Sequence, residues 1–268
     1  MKLAWLTDIH LNFLKEGARL KFYQEIVKTN SDAILLTGDI AEAPSVSALL
    51  REMCSHVKKP IYFVLGNHDF YKGQVDDVKK EMLQLTNDEA LLFWMPAAGC
   101  QTLEKDIVLV GQDGWADGRL GDYYHSICSM YDSRMIADLF QQSILGKKQL
   151  LEKMQQLADH DAAQLKDNLT QAIAQQAKKI IVLTHIPPFP EASMHKGKMC
   201  DDSYLPFFTA KATGDILLPI AKENPTIEFL VLCGHTHSAA VYQPCTNLIV
   251  KAGAAEYYKP KVQEIITF

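Results

Sequence analysis

The chain has 268 residues, 48% of them hydrophobic and 22% charged, with 14 Gly and 11 Pro. Those proportions exclude a disordered, collagen-like or low-complexity protein. A chain this long buries roughly 70–75% of its unfolded surface, so it can build a core without staples. Lys and Arg number 27 against 32 Asp and Glu, a net charge of −5. That balance speaks against a dedicated nucleic-acid binder with a basic face, though not against a nuclease whose own metal ions carry the positive charge.

Six cysteines, at positions 54, 100, 128, 200, 233 and 245, form no C-x-x-C pair. With no charged n-region and apolar h-region ahead of them, they read as reduced thiols rather than a disulfide framework. No apolar run approaches the roughly 18 residues of a membrane span. The expectation is a cytoplasmic protein folded as a single domain over residues 1–268, with no membrane partner.

In chain order, short apolar runs at 3–7, 33–37 and 61–65 suit strands buried on both faces. Helix-like segments near 16–29 and 44–56 separate them, and a strand–helix–strand order predicts a mostly parallel sheet with right-handed crossovers. Residues 99–103 and 107–111 read as a hairpin around Glu104-Lys105-Asp106. The segment 146–178 carries Leu150, Met154, Leu157, Leu165, Leu169 and Ile173 at near-helical spacing, which predicts one long helix or two packed on the sheet. Buried-strand runs return at 180–184 and 229–233, and 238–243, 247–251 and 262–267 read as further antiparallel strands. The irregular stretches 112–130 and 187–208 are rich in Gly and Pro respectively, and long loops of this kind are commonly functional.

The chemistry sits just after the buried runs. After 3–7 come Asp8-Ile9-His10, and after 33–37 come Gly38-Asp39. Gly66-Asn67-His68-Asp69 succeeds 61–65, His185 succeeds 180–184, and Gly234-His235-Thr236-His237 succeeds 229–233. Ligands of open α/β sheets bind outside the carboxyl ends of strands, so these five ends should converge. Asp8 and His10 stand two apart, as do His235 and His237, so each pair can face one side. Asn67 and His68 are adjacent and should diverge, which suits one metal ligand and one group free for proton chemistry. Imidazole, carboxylate and amide oxygen together suit Mn, Fe, Zn or Ni rather than Ca. Eight such residues are too many for one ion and right for two. Each piece alone has a plainer use: a G-D is often only a turn, and a lone His a satisfied core residue.

The ordered set D-x-H, G-D, G-N-H-D, H and G-H-x-H, running from Asp8 to His237, resembles the calcineurin-like metallophosphoesterase superfamily, which includes purple acid phosphatases and phosphodiesterases. The resemblance implies an α/β fold, a four-layer α/β/β/α sandwich of two mixed sheets with a dinuclear metal site at the strand ends. It implies that Asp8, His10, Asp39 and His237 hold one divalent ion and that Asp39, Asn67, His185 and His235 hold the other, with Asp39 bridging. It implies hydrolysis of a phosphomonoester or phosphodiester by a hydroxide between the ions, with His68 serving the leaving oxygen. The substrate expected is a small phosphorylated compound rather than nucleic acid.

The stretch 112–176 carries no family motif and is the expected substrate-side insert. There Arg119 could pair with a phosphate oxygen and Trp115 could stack on a base or sugar; His195 is a further candidate contact. Asp69 reads as a group that orients a neighbour or caps a turn. Two rival readings share the fold. A DNA nuclease would want a basic face, and a non-catalytic scaffold has no reason to keep all eight positions.

Overall fold

A computed structural model describes all of residues 1–268. The chain begins β1 (Lys2–Leu6), α1 (Glu16–Lys28), β2 (Ala33–Thr37), α2 (Ala43–Val57), β3 (Ile61–Val64), α3 (Val75–Asp88) and β4 (Leu92–Trp94). A short turn of helix, α4 (Met95–Ala98), leads to the hairpin β5 (Gln101–Glu104) and β6 (Ile107–Gly111). Three helices come after it, α5 (Asp132–Met135), α6 (Ala137–Leu145) and the 28-residue α7 (Lys147–Ala174). Next come β7 (Lys179–Leu183), a small hairpin of β8 (Met194–His195) and β9 (Lys198–Met199), then α8 (Leu205–Phe208) and α9 (Lys211–Glu223). The chain finishes with β10 (Glu228–Cys233), β11 (Ala240–Cys245), β12 (Leu248–Ala252) and β13 (Glu264–Thr267).

Two mixed sheets face each other, with strand orders β13-β1-β2-β3-β4 and β11-β12-β10-β7-β6-β5. Side-chain alternation along each strand decides which layer a residue joins. Leu3, Trp5, Ala33 and Leu35 point inward against Leu109, Ile181, Leu183 and Leu232 of the other sheet. Their neighbours Ala4, Leu6, Ile34 and Leu36 point outward onto Tyr23 and Ile26 of α1 and Val46 and Leu50 of α2. On the far side, Val108, Val110, Ile180 and Val231 pack against Leu165 and Leu169 of α7 and Leu217 of α9. The expected four-layer α/β/β/α sandwich is the fold found.

One pairing differs from the sequence expectation. β12 is antiparallel to β11 but parallel to β10, with Phe229 opposite Leu248 and Cys233 opposite Ala252. A three-strand antiparallel run would need β11 beside β10. Instead β11 leaves β10 and crosses to the edge, and β12 returns to pair with the core strand.

Parallel register lines up the strand ends that matter. Leu6 lies opposite Leu36, Thr37 opposite Val64, and Leu183 opposite both Gly111 and Leu232. At this edge the two sheets are stitched together by buried polar contacts. The Asp113 carboxylate, just past β6, accepts the backbone N–H of Leu65 at 2.8 Å and the Trp94 indole N–H at 2.9 Å. Burial, reinforced by neighbouring Asp161, pushes the Asp113 carboxyl up to about 7. Within the first sheet, Asp69 accepts the N–H groups of Ile40 (2.9 Å), Ala41 (2.8 Å) and Gly66 (2.8 Å), tying the loop after β2 to the loop after β3. Removing this carboxylate leaves three buried donors unsatisfied, at about 1–3 kcal/mol each. Asp69→Ala is therefore expected to lower unfolding free energy by about 3 kcal/mol or more, read by urea denaturation. A loss under about 0.5 kcal/mol, the range of an ordinary surface change, would show that the tie carries no weight.

Candidate metal centre

The five strand ends deliver their polar residues to one place, and they do so at a backbone cost. Asp8 (φ 49°), His10 (40°), Asp39 (52°), His235 (70°) and His237 (54°) all adopt left-handed backbone conformations. Each such non-glycine residue costs on the order of 1–3 kcal/mol, and it persists only where its surroundings hold it. Here the N–H of Asp8 donates to the Gly38 carbonyl and that of His10 to the Asp39 carbonyl, each at 3.0 Å. The His235 N–H donates to the Asp8 carboxylate at 3.0 Å. The motif glycines are explained by crowding: a Cβ on Gly66 would strike the Asp39 carboxylate, and one on Gly234 would strike Thr7 and the Asp8 carboxylate.

Two groups of donor atoms meet at Asp39. On one side, Asp8, His10, Asp39 and His237 place a ligand atom each within 4.8 Å of one another. His237 Nε2 lies 3.3 Å from both His10 Nε2 and Asp8 Oδ1, and His10 Nε2 lies 3.8 Å from Asp39 Oδ2. On the other side, His185 Nε2 lies 3.3 Å from Asp39 Oδ1 and 3.1 Å from Asn67 Oδ1, which is 3.0 Å from His235 Nδ1. Asp39 thus turns one carboxylate oxygen toward each group.

The hydrogen-bonding roles show that a cation fits between these atoms. Asn67 Nδ2 donates to Asp132 Oδ1 at 2.8 Å and to the Tyr71 hydroxyl at 3.2 Å, which fixes Oδ1 as the atom facing the histidines. Burial and the neighbouring His185 press His235 down to about 3, so its ring is neutral and carries one N–H. That N–H goes from Nε2 to the Phe207 carbonyl at 2.9 Å, leaving the Nδ1 lone pair aimed at an amide oxygen. His185 gives its Nδ1–H to the Thr37 carbonyl at 2.8 Å and turns Nε2 to the same oxygen. Lone pairs facing lone pairs at about 3 Å repel unless a positive ion sits among them.

Electrostatics agree. Burial and the nearby Asp8 push the Asp39 carboxyl well above the usual carboxylate range. Asp8 goes the other way, because the hydrogen bond from His237 and the charge of the surrounding imidazoles outweigh its burial. Burial holds His10 down at about 3 despite Asp8. One carboxylate at Asp8, a second carboxyl at Asp39 whose charge burial opposes, and two imidazoles, His10 and His235, that burial keeps neutral make an enclosed place that divalent charge would complete.

His68 sits beside this centre without joining either group of donor atoms. Its ring stacks on Tyr71 with 4.3 Å between centroids, and its Nε2 lies 3.9 Å from Asp39 Oδ2. Burial, then the neighbouring His185, lowers its pKa to about 4. Tyr257, from the segment before β13, closes the far side with its ring 4.6 Å from His10 and 5.0 Å from His237.

Asp132 is a residue that sequence reasoning does not single out. It is half-buried, accepts the Asn67 amide at 2.8 Å and the Tyr71 hydroxyl at 2.6 Å, and comes from α5 in the insert. Nothing at 132 has a motif around it; only the unusual length of the loop before it hints at a role. Of the proposed substrate contacts, Trp115 is buried with its ring 4.8 Å from Phe70. The Arg119 guanidinium is taken up by Asp117 at 3.2 Å and Asp159 at 2.8 Å, which fastens the loop to α7 rather than offering a free fork to phosphate. His195 stacks on Tyr204, which meets Phe208 edge-on, and Phe208 lies tilted against His235, so two rings separate His195 from the donor group.

Comparison with known proteins agrees with this geometry. The model of the calcineurin-like phosphoesterase family matches residues 1–239. Similar solved structures include a dimetal phosphatase from Danio rerio, with 12% identity, a TM-score of 0.59 and coverage of 95% of this chain and 87% of that one. A phosphopantetheinyl hydrolase from Mycobacterium tuberculosis is similar at 13% identity and a TM-score of 0.61, covering 96% and 89%. Purple acid phosphatase PPD1 from yellow lupin, Lupinus luteus, is similar at 11% identity and a TM-score of 0.51, covering 94% of this chain and 43% of that one. At such identities the likeness is one of fold. No protein of curated function matches the sequence significantly.

If Asp132 fixes the Asn67 amide, Asp132→Ala should weaken divalent-metal binding at the Asn67–His185–His235 side by about 10–100-fold, the usual effect of losing a partner behind a ligand. Calorimetric titration of metal-free protein with Mn²⁺ reads this directly. Unchanged affinity at both positions would show that Asp132 has no part in placing the ligand.

Proposed function

The chain belongs to the calcineurin-like phosphoesterase family, and from that premise we propose that it is a dinuclear metal-dependent hydrolase of phosphomonoesters or phosphodiesters of a small substrate. The observation that carries the proposal is the opposition of lone pairs around Asn67 Oδ1, with Asp39 turned to both donor groups. Asp8, His10, Asp39 and His237 would hold one ion, and Asp39, Asn67, His185 and His235 the other. The donor set suits Mn, Fe, Zn or Ni. Bound there, the two ions would supply Lewis acidity and lower the pKa of bound water.

The protein's own residues set up the rest. Two divalent ions outweigh the charge of Asp8 and Asp39, so the centre attracts an anionic phosphoryl group although the chain carries −5. Burial and the neighbouring His185 favour the neutral His68 ring, which is free of the donor groups, so it would meet the departing oxygen as an N–H donor. Stacking on Tyr71 sets its ring plane, and Tyr71 is in turn fixed by its hydrogen bond to Asp132. The insert 112–176 reaches the centre through Asp132 and is the segment we assign to substrate selection. The acidic net charge supports a small-molecule substrate over nucleic acid. No helix is long and apolar enough to cross a membrane, and six unpaired thiols suit a reducing, cytoplasmic setting.

Hydrolysis of bis(p-nitrophenyl) phosphate and p-nitrophenyl phosphate in Mn²⁺ tests this reading. At least one should be turned over, EDTA should abolish the activity, and the preferred compound separates diester from monoester. His68→Ala should lower kcat by about 10²–10⁴-fold with metal content unchanged. Equal loss of metal and activity would make His68 a ligand or a structural residue instead.

A further inference from the structure

Next to the candidate metal centre lies a cavity of about 340 Å³, within the size range of small-molecule sites. Asn67 and Asp132 form part of its wall, so it opens directly beside the Asn67 donor group. The rest of the wall comes mainly from the insert and the segment before α9, with Trp115, Tyr123, Leu139 and Phe207 among its residues. Eleven of its 19 lining residues are hydrophobic, so apolar surface dominates what an occupant would touch.

The charges are as telling as the apolar wall. Asp132 and Lys147 are the charged residues lining the cavity. The Asp132 carboxylate is engaged by Asn67 and Tyr71, and the Lys147 ammonium donates to the Tyr124 carbonyl at 2.7 Å. Arg119, which could have served a second phosphate, is held by Asp117 and Asp159. Among the neutral polar groups, three serines already donate their hydroxyls to backbone, Ser126 to Ser203, Ser133 to Met130 and Ser143 to Phe140, while the Ser129 hydroxyl accepts from Arg134. These retain acceptor lone pairs for a hydroxyl or amide, and the one cation in the wall, Lys147, is an exposed side chain that already gives one N–H to a carbonyl, so no buried cation waits for a second anionic group.

We propose that this cavity receives the organic part of the substrate, and that the substrate is the phosphate ester of an uncharged, largely apolar alcohol rather than a nucleotide or a sugar phosphate. The proposal rests on the phosphoesterase reading above. Hydrolysis joins the oxygen of water to phosphorus, breaks the bond between phosphorus and the organic oxygen and returns a proton to that oxygen. The product left in the cavity is then a neutral alcohol, which an apolar wall with spare acceptors can hold and release.

The test is phosphate release from methyl, butyl, hexyl and octyl phosphate, set beside glycerol 3-phosphate and a nucleoside 5′-monophosphate. The expected result is kcat/KM rising by up to about fourfold per methylene, the fold-change equivalent to about 0.8 kcal/mol per buried CH₂, with both polar esters poorer than hexyl phosphate. Leu150→Glu in the wall and Ile127→Glu at the cavity, where Ile127 is 91% exposed and tolerates change, should each flatten the series. Metal content at the wild-type level checks their folding. Independently of turnover, hexanol should shift the emission of metal-free protein, and the shift should vanish in Trp115→Phe. A flat series with p-nitrophenyl phosphate still hydrolysed, or no hexanol response, overturns the cavity proposal and leaves the hydrolase standing. Metal-loaded protein that binds hexanol but hydrolyses no ester overturns the phosphoesterase reading and this proposal with it.

Discussion

Atoms that accept hydrogen bonds, crowded around the Asn67 amide oxygen, are the constraint on which this structure turns. Asn67 Oδ1 faces His185 Nε2 and His235 Nδ1 at 3.1 and 3.0 Å, and each ring turns its other nitrogen to a backbone carbonyl. Asp39 adds a carboxylate oxygen on each side, with its carboxyl displaced upward by burial. An arrangement that repels itself folds only if other interactions force it or if a bound cation reverses its sign. Both conditions fit this molecule: two sheets supply the forcing, and the donor set matches divalent ions.

The forcing is distributed over buried carboxylates that bind backbone rather than metal. Asp69 ties the loop carrying Asp39 to the loop carrying Asn67, and Asp113 ties β3 of one sheet to the strand end of the other. Asp132 reaches in from the insert to hold the Asn67 side chain. Acidic residues therefore divide into those that would face the ions, Asp8 and Asp39, and those that place the ligands. The left-handed backbone at five of the proposed ligands is the strain this scaffold contains. Because Asp132 belongs to the same insert that walls the cavity, ligand placement and the proposed substrate selection would share one segment.

Much of the fold was legible because burial on both faces leaves an unmistakable run. LAWLT, AILLT, IYFVL, IIVLT and FLVLC each become a core strand within a residue of the expected limits. The candidate site was legible for the same reason, since the residues just beyond a buried parallel strand must lie at its carboxyl end. Helix α3 is within reach of the same reasoning, with Val75, Val78, Met82 and Leu85 buried at helical spacing, although no motif draws attention to it. The pairing of β12 was not legible: five alternating residues suit a parallel or an antiparallel neighbour equally, and only the tertiary path decides. Nor was the role of Arg119, whose partner Asp159 lies 40 residues away on α7. Asp132 escapes sequence reading because a carboxylate that holds an amide needs no particular spacing from it.

Asp39, with one oxygen turned to each donor group, would join two ion sites into one centre. Metal content after loading with Mn²⁺ and desalting, measured by elemental analysis on the wild type, Asp39→Asn and Asp8→Asn, tests this most directly. The expected result is about two ions per wild-type chain, as for a paired-metal centre, with both depleted together in Asp39→Asn and one selectively in Asp8→Asn. A wild type that retains one ion or none, or an Asp39→Asn protein that keeps either ion at full occupancy, would contradict it.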